Sequence, residues 1–92
     1  MADKTIHAII EGRVQGVYFR DYTRREAEKL GLVGWVRNQR DGSVEALIAG
    51  DSGKIEKMID WLHEGSPMAN VTGITVTEHS HEDTYHDFTI RY

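Results

Sequence analysis

Gly12-Arg13-Val14-Gln15-Gly16-Val17-Tyr18-Phe19-Arg20 is the stretch across which the chain changes its period. Before it, Thr5-Ile6-His7-Ala8-Ile9-Ile10-Glu11-Gly12 alternates, with Ile6, Ala8 and Ile10 on one face, as a half-buried strand does. After it, Phe19, Tyr22, Thr23, Ala27 and Leu30 recur at three- and four-residue spacing. Arg24, Arg25, Glu28 and Lys29 take the other side, so this segment is an amphipathic helix. Gly12 and Gly16 permit backbone conformations in which successive N–H groups turn inward. A helix N-terminus then adds unpaired donors and a favourable dipole, and Arg20 adds a charged fork that can grip two oxygens. The pattern suits a small anion. It also suits an ordinary turn followed by a solvated arginine, and spacing alone leaves both readings open.

Outward from this stretch the elements follow in order. Gly31 caps the first helix, with Leu32 folding back as its apolar contact. Val33 to Gln39 forms a second strand and Ser43 to Ala49 a third, joined by Asp41-Gly42, a tight-turn signal that calls for positive φ at its centre. Asp51 or Ser52 caps a second helix carrying Ile55, Met58, Ile59 and Leu62, which stops at Gly65 before Pro67. Val71 to Glu78 is a fourth strand, residues 79–84 a polar connection, and Phe88, Ile90 and Tyr92 share a face of a short final strand. The expected architecture is α+β: a ferredoxin-like split βαβ sandwich, with two helices on one face of a mixed sheet and a fifth strand appended. One domain spans residues 1–92, with residues 1–4 as a flexible tail.

That topology has a chemical consequence. The first helix crosses from strand one to strand two and makes them parallel, so their C-terminal ends share one sheet edge. The glycine loop leaves strand one at that edge, and Asn38 lies near the end of strand two. The loop, Arg20 and Asn38 are therefore placed to converge. An amide carries an acceptor and a donor and can orient a water molecule without titrating. Asn beside a hairpin is also common turn chemistry.

Composition narrows the field. The 92 residues are 39% hydrophobic and 28% charged, as in an ordinary globular protein. The absence of cysteine excludes disulfides, thiolate metal sites and a cysteine nucleophile. No signal-peptide core and no membrane-length run is present, which predicts a soluble cytoplasmic protein with no membrane partner. The net charge is −4: residues 1–40 carry eight Lys/Arg against five Asp/Glu, and residues 41–92 carry three against ten. An acidic whole argues against nucleic acid as a partner, while the basic half, which holds the loop, suits a small anion.

Gly12 to Arg20, then Leu30-Gly31-Leu32-Val33-Gly34-Trp35-Val36-Arg37-Asn38, then Asp41-Gly42-Ser43-Val44-Glu45, resembles the acylphosphatase family nearly residue for residue in both signature segments. The resemblance runs from the first strand through the second helix and extends loosely to the end. It implies hydrolysis of the carboxyl–phosphate bond of small-molecule acyl phosphates, without metal or other cofactor. It further implies that Arg20 binds phosphate, that Asn38 orients the attacking water, and that the backbone N–H groups of Gln15, Gly16, Val17, Tyr18 and Phe19 form the phosphate cradle. Two departures stand out. Tyr18 occupies a position where Phe is common, and Asn70 precedes Val71 where many members carry a basic residue.

Two rival classes remain at this level: a non-catalytic phosphate-binding regulatory module on the same fold, and an RNA-binding domain, whose binding would weaken steeply with salt. The third strand lacks the aromatics that RNA-binding domains of this topology place there. His79, His81 and His86, near Glu82 and Asp83, fit a solvated turn better than a metal site. Trp35 and Trp61 read as packing residues. The short fifth strand and polar surface predict a monomer.

Overall fold

The structure, a computed structural model, describes residues 3–79 and 85–92. The elements run β1 (Asp3–Arg13), α1 (Phe19–Lys29), β2 (Val33–Asn38), β3 (Val44–Asp51), α2 (Ser52–Glu64), β4 (Asn70–Glu78) and β5 (Phe88–Arg91). They form one five-stranded sheet in the order β4-β1-β3-β2-β5. β1 pairs antiparallel with both β3 and β4, β2 antiparallel with β3, and β5 parallel with β2. This is the split βαβ sandwich read from the sequence.

The core lies between the helices and one sheet face. Ile6, Ala8 and Ile10 of β1, Val36 of β2, and Val44, Ala46 and Ile48 of β3 are fully buried. They meet Phe19 and Ala27 of α1 and Ile55, Met58 and Leu62 of α2. The period-two positions of the strands and the period-3.6 positions of the helices thus close on each other. Thr23, also buried, is satisfied by donating its hydroxyl to the Phe19 carbonyl at 2.8 Å.

The helix ends follow local chemistry. At the end of α1 the Leu32 N–H reaches the Ala27 carbonyl at 2.8 Å and the Gly31 N–H reaches Glu28 at 3.1 Å, the paired bonds of a Schellman cap. At the start of α2 it is Asp51 that caps, its carboxylate accepting the Lys54 N–H at 3.1 Å.

Three expectations are adjusted. Asp3 and Lys4 are not tail but the first residues of β1, paired with Asp51 and Gly50 because β3 runs to Asp51. The hairpin turn is wider than a two-residue loop: the Gln39 N–H donates to the Ser43 carbonyl at 2.8 Å and the Gly42 N–H to Gln39 at 3.2 Å. Of the Asp41-Gly42 pair only Gly42 has positive φ, and the Asp41 carboxylate instead accepts from the Ser43 N–H and hydroxyl, at 2.9 and 2.6 Å. Much of the connection read over residues 79–84, with His81, lies outside the described residues. Among those described, no three His, Asp or Glu side chains gather as a metal site.

Both tryptophans pack. Trp61 lies 5.8 Å, ring to ring, from Phe19 and closes the core. Trp35 lies on the face of the sheet away from the helices, where the guanidinium groups of Arg91 and Arg37 sit 4.6 and 5.3 Å from its ring and cover it.

Candidate active site

β1, β2 and β5 run in one direction, so Arg13, Asn38 and Arg91 all end at the same edge of the sheet. The chain leaving β1 there is bent. A bulge between Glu11 and Gly12 shifts the register against β4, and Gly12 adopts φ 123°. Any Cβ at Gly12 would run into the Asn70 carbonyl, so close backbone approach requires glycine at this position.

Beyond the bulge, Gly16 (φ 75°) and Tyr18 (φ 60°) both take left-handed conformations, with Val17 between them. Left-handed residues interspersed along a short run make the concavity of N–H groups known as a nest. Tyr18 is the one non-glycine residue with positive φ among those described, and it immediately precedes α1. A bulky residue so held is strained by about 1–2 kcal/mol, and the surrounding structure must hold it there.

Two side chains anchor this loop. The buried Ser66 hydroxyl, just past α2, donates to the Val17 carbonyl at 2.8 Å. The Gln15 amide nitrogen donates to the carbonyls of Gln39 and Ser43 in the β2–β3 turn, at 2.7 and 2.8 Å. Val14, Val17 and Phe19 point into the core and fix the loop from below.

The loop and the end of β2 border a cavity of about 360 Å³, lined by Val14, Gly16, Tyr18, Phe19, Arg20, Asp21, Asn38, Ile90 and Tyr92. The structure therefore brings Arg20 and Asn38 together, with Gly16, Tyr18 and Phe19. Gln15 and Val17, read as part of the same cradle, do not line the cavity. The Arg20 guanidinium donates to the Arg91 carbonyl at 3.3 Å and lies 4.8 Å from the Tyr92 ring. No carboxylate pairs with it among the described residues, so its charge is available to the cavity. The Asn38 side-chain oxygen is buried and accepts no hydrogen bond from the described residues. Such an atom is costly unless a ligand or solvent donor completes it.

Sequence reasoning missed Ile90, Tyr92 and Asp21 as wall residues. Ile90 and Tyr92 share a strand face, which was readable. Nothing local, however, says that β5 docks in parallel beside β2, the step that brings Tyr92 to Arg20. Asp21 is the acidic residue of the first turn of α1, where it complements the helix dipole and also sets a negative charge in the cavity wall. Asn70, noted for replacing a basic residue, pairs with Arg13 and does not line the cavity.

Fold and site together define a two-layer α+β domain with a cleft at one sheet edge where Arg20, Asp21 and Asn38 meet. The acylphosphatase family model matches residues 6–90. The acylphosphatase of Rubrobacter xylanophilus is 51% identical over 75 residues, covering 82% of this chain and 68% of that one. The acylphosphatase of Syntrophobacter fumaroxidans is 44% identical over 92 residues, 100% of this chain and 95% of the relative. The crystal structure of acylphosphatase from Bacillus subtilis superposes with a TM-score of 0.92 at 41% identity, covering 96% of this chain and 98% of that chain. The chain belongs to the acylphosphatase family.

Proposed function

We propose that this chain hydrolyses acyl phosphates to a carboxylate and inorganic phosphate, by direct attack of water on phosphorus. The observation that carries this reading is the cavity shared by Arg20 and the Asn38 oxygen, which accepts no hydrogen bond from the described residues. In the proposed reaction the phosphoryl oxygens sit against the Arg20 guanidinium and the N–H groups of the 15–19 loop. The Asn38 oxygen accepts a hydrogen bond from a water and aims its lone pair at phosphorus. The bond from water oxygen to phosphorus forms as the bond from phosphorus to the bridging oxygen breaks, and the electron pair leaves with the carboxylate. The water's proton passes to phosphate or solvent.

The assignment is chemically sufficient. A carboxylate leaves without prior protonation, so no strong general acid is required. Phosphoryl transfer demands mainly alignment and stabilisation of charge on the equatorial oxygens. Asn38 does not titrate, so turnover should be nearly flat around neutral pH.

Acetyl phosphate hydrolysis by the wild type, with and without a chelator, tests the reading. Turnover should survive the chelator. Asn38→Ala should lose roughly a thousandfold in kcat while still binding phosphate. Arg20→Ala should weaken phosphate binding roughly a hundredfold. Full activity in Asn38→Ala would overturn the water assignment. Phosphate binding by a wild type that never turns over would favour a binding module instead.

A further inference from the structure

Gln15 is the loop residue whose side chain leaves the loop altogether. Both protons of its amide nitrogen are used, one on the Gln39 carbonyl at 2.7 Å and one on the Ser43 carbonyl at 2.8 Å. Neither carbonyl needs this bond for its own satisfaction. Ser43 already accepts the Gln39 N–H at 2.8 Å, and Gln39 already accepts the Gly42 N–H at 3.2 Å. The Gln15 contacts therefore add a bridge between two segments 24 and 28 residues apart in sequence.

The position of that bridge matters more than its strength. Gln39 follows Asn38 directly, and Ser43 precedes Val44, the residue paired with Asn38 across the ladder. The two accepting carbonyls thus belong to the next step toward the turn, Gln39 opposite Ser43, directly adjoining the rung that carries Asn38. On the loop side, Gln15 precedes Gly16, which lines the cavity. The side-chain oxygen of Asn38 accepts nothing from the described residues, and it is carried by this backbone rung, so a shift of the rung shifts the oxygen.

We propose that the Gln15 side chain is a positioning residue, holding the phosphate-binding loop and the Asn38 rung at a fixed separation. This rests on the hydrolytic reading above. The role expected of Gln15 from the sequence was a backbone donor; the inference here is a separate role for its amide. Phosphate is located by the loop and water by Asn38, so the bridge sets the approach of one to the other. A displacement of about 1 Å between reacting groups can cost a hundredfold in rate with little change in binding. An amide also keeps the bridge constant across pH, as a carboxylate could not.

Two variants with acetyl phosphate as substrate and inorganic phosphate as inhibitor decide the matter. Gln15→Met keeps length and removes the donors. It should lower kcat about ten- to a hundredfold while the inhibition constant for phosphate changes less than threefold. Gln15→Glu sets a carboxylate against two carbonyls; its kcat should be lower still at pH 7 and recover as the pH is lowered to 5, when the protonated acid can donate again. The wild type should show no such acid recovery. A folded Gln15→Met variant with kcat within twofold of wild type would overturn the proposal. So would equal losses of kcat and phosphate affinity, or a Gln15→Glu variant without acid recovery.

An NMR measurement separates this proposal from the hydrolytic reading. Inorganic phosphate should shift the amide signals of residues 39–44, which do not line the cavity, in the wild type but not in Gln15→Met, where only residues lining the cavity should respond. A wild type that binds phosphate without hydrolysing acetyl phosphate would sink the hydrolytic reading, and these shifts would still decide for or against the bridge.

Discussion

The loop that leaves β1 and the hairpin that carries Asn38 meet at one cavity and are held in unlike ways. The loop is irregular backbone: a bulge at Gly12, left-handed Gly16 and Tyr18, and side-chain anchors from Ser66 and Gln15. The hairpin is regular backbone, with Asn38 paired to Val44 in a continuous ladder and its turn tied by the Asp41 carboxylate. The difference suits their proposed tasks. Several N–H groups must converge on one anion, which a regular strand cannot arrange because its donors alternate in direction. A single amide aimed at one water needs only a stiff strand end.

If the loop depends on close backbone approach and the hairpin on its ladder, a methyl group should harm one far more than the other. Gly12→Ala drives a Cβ into the Asn70 carbonyl at a left-handed φ. It should cost about 3 kcal/mol by urea denaturation, from overpacking and backbone strain together. Gly42→Ala meets nothing within 4 Å and should cost only about 1 kcal/mol, the backbone term alone. Equal losses would erase the distinction.

The next effect concerns an anchor. Ser66→Ala removes the donor to the Val17 carbonyl in a buried setting. An unsatisfied buried carbonyl costs about 2 kcal/mol, and the loss should appear in the melting temperature. Phosphate affinity should fall with it, because Val17 lies between the two left-handed residues of the loop. Asn38-dependent alignment should not, so kcat at saturating acetyl phosphate should hold. A fall in kcat with unchanged phosphate affinity would place the anchor on the wrong half.

These contrasts also show which parts of the molecule were readable in its sequence. The switch of period at Gly12 to Arg20, the Schellman cap after α1 and the Ile55, Met58 and Leu62 stripe are local patterns, and each appears where it was read. Arg20 and Asn38 converge because the α1 crossover makes β1 and β2 parallel, a rule of topology needing only element order. The anchors were not readable. The Gln15 amide and the Ser66 hydroxyl act on residues 24 and 49 positions away, respectively, and nothing in their neighbours announces a partner. The left-handed Tyr18 was invisible for the opposite reason: local preference argues against it, and tertiary packing overrides that preference.

The smallest effect tests the hairpin by acid. Its two perturbed carboxyls both sit below the ordinary range. Asp41 is lowered by its hydrogen bonds from the Ser43 hydroxyl and N–H. For Glu45, burial works to raise the carboxyl but is outweighed by hydrogen bonds from His7 and Arg37, each 2.6 Å long, and by their charges. A carboxyl lowered on folding binds fewer protons in the folded than in the unfolded chain, so it adds stability above its unfolded pKa. That contribution disappears as the pH falls through the folded value. Stability should therefore hold level from pH 7 to about 5 and decline below the ordinary carboxylate range. Asp41→Asn and Glu45→Gln should each start lower at pH 7 and decline less steeply, converging on the wild type in acid. Hydrogen exchange at low pH should quicken first at residues 39–45, while the loop amides near Gly16, which no such carboxylate holds among the described residues, should change later. Acid loosening that began at the loop would mean that the loop, not the hairpin, is the half held by charge.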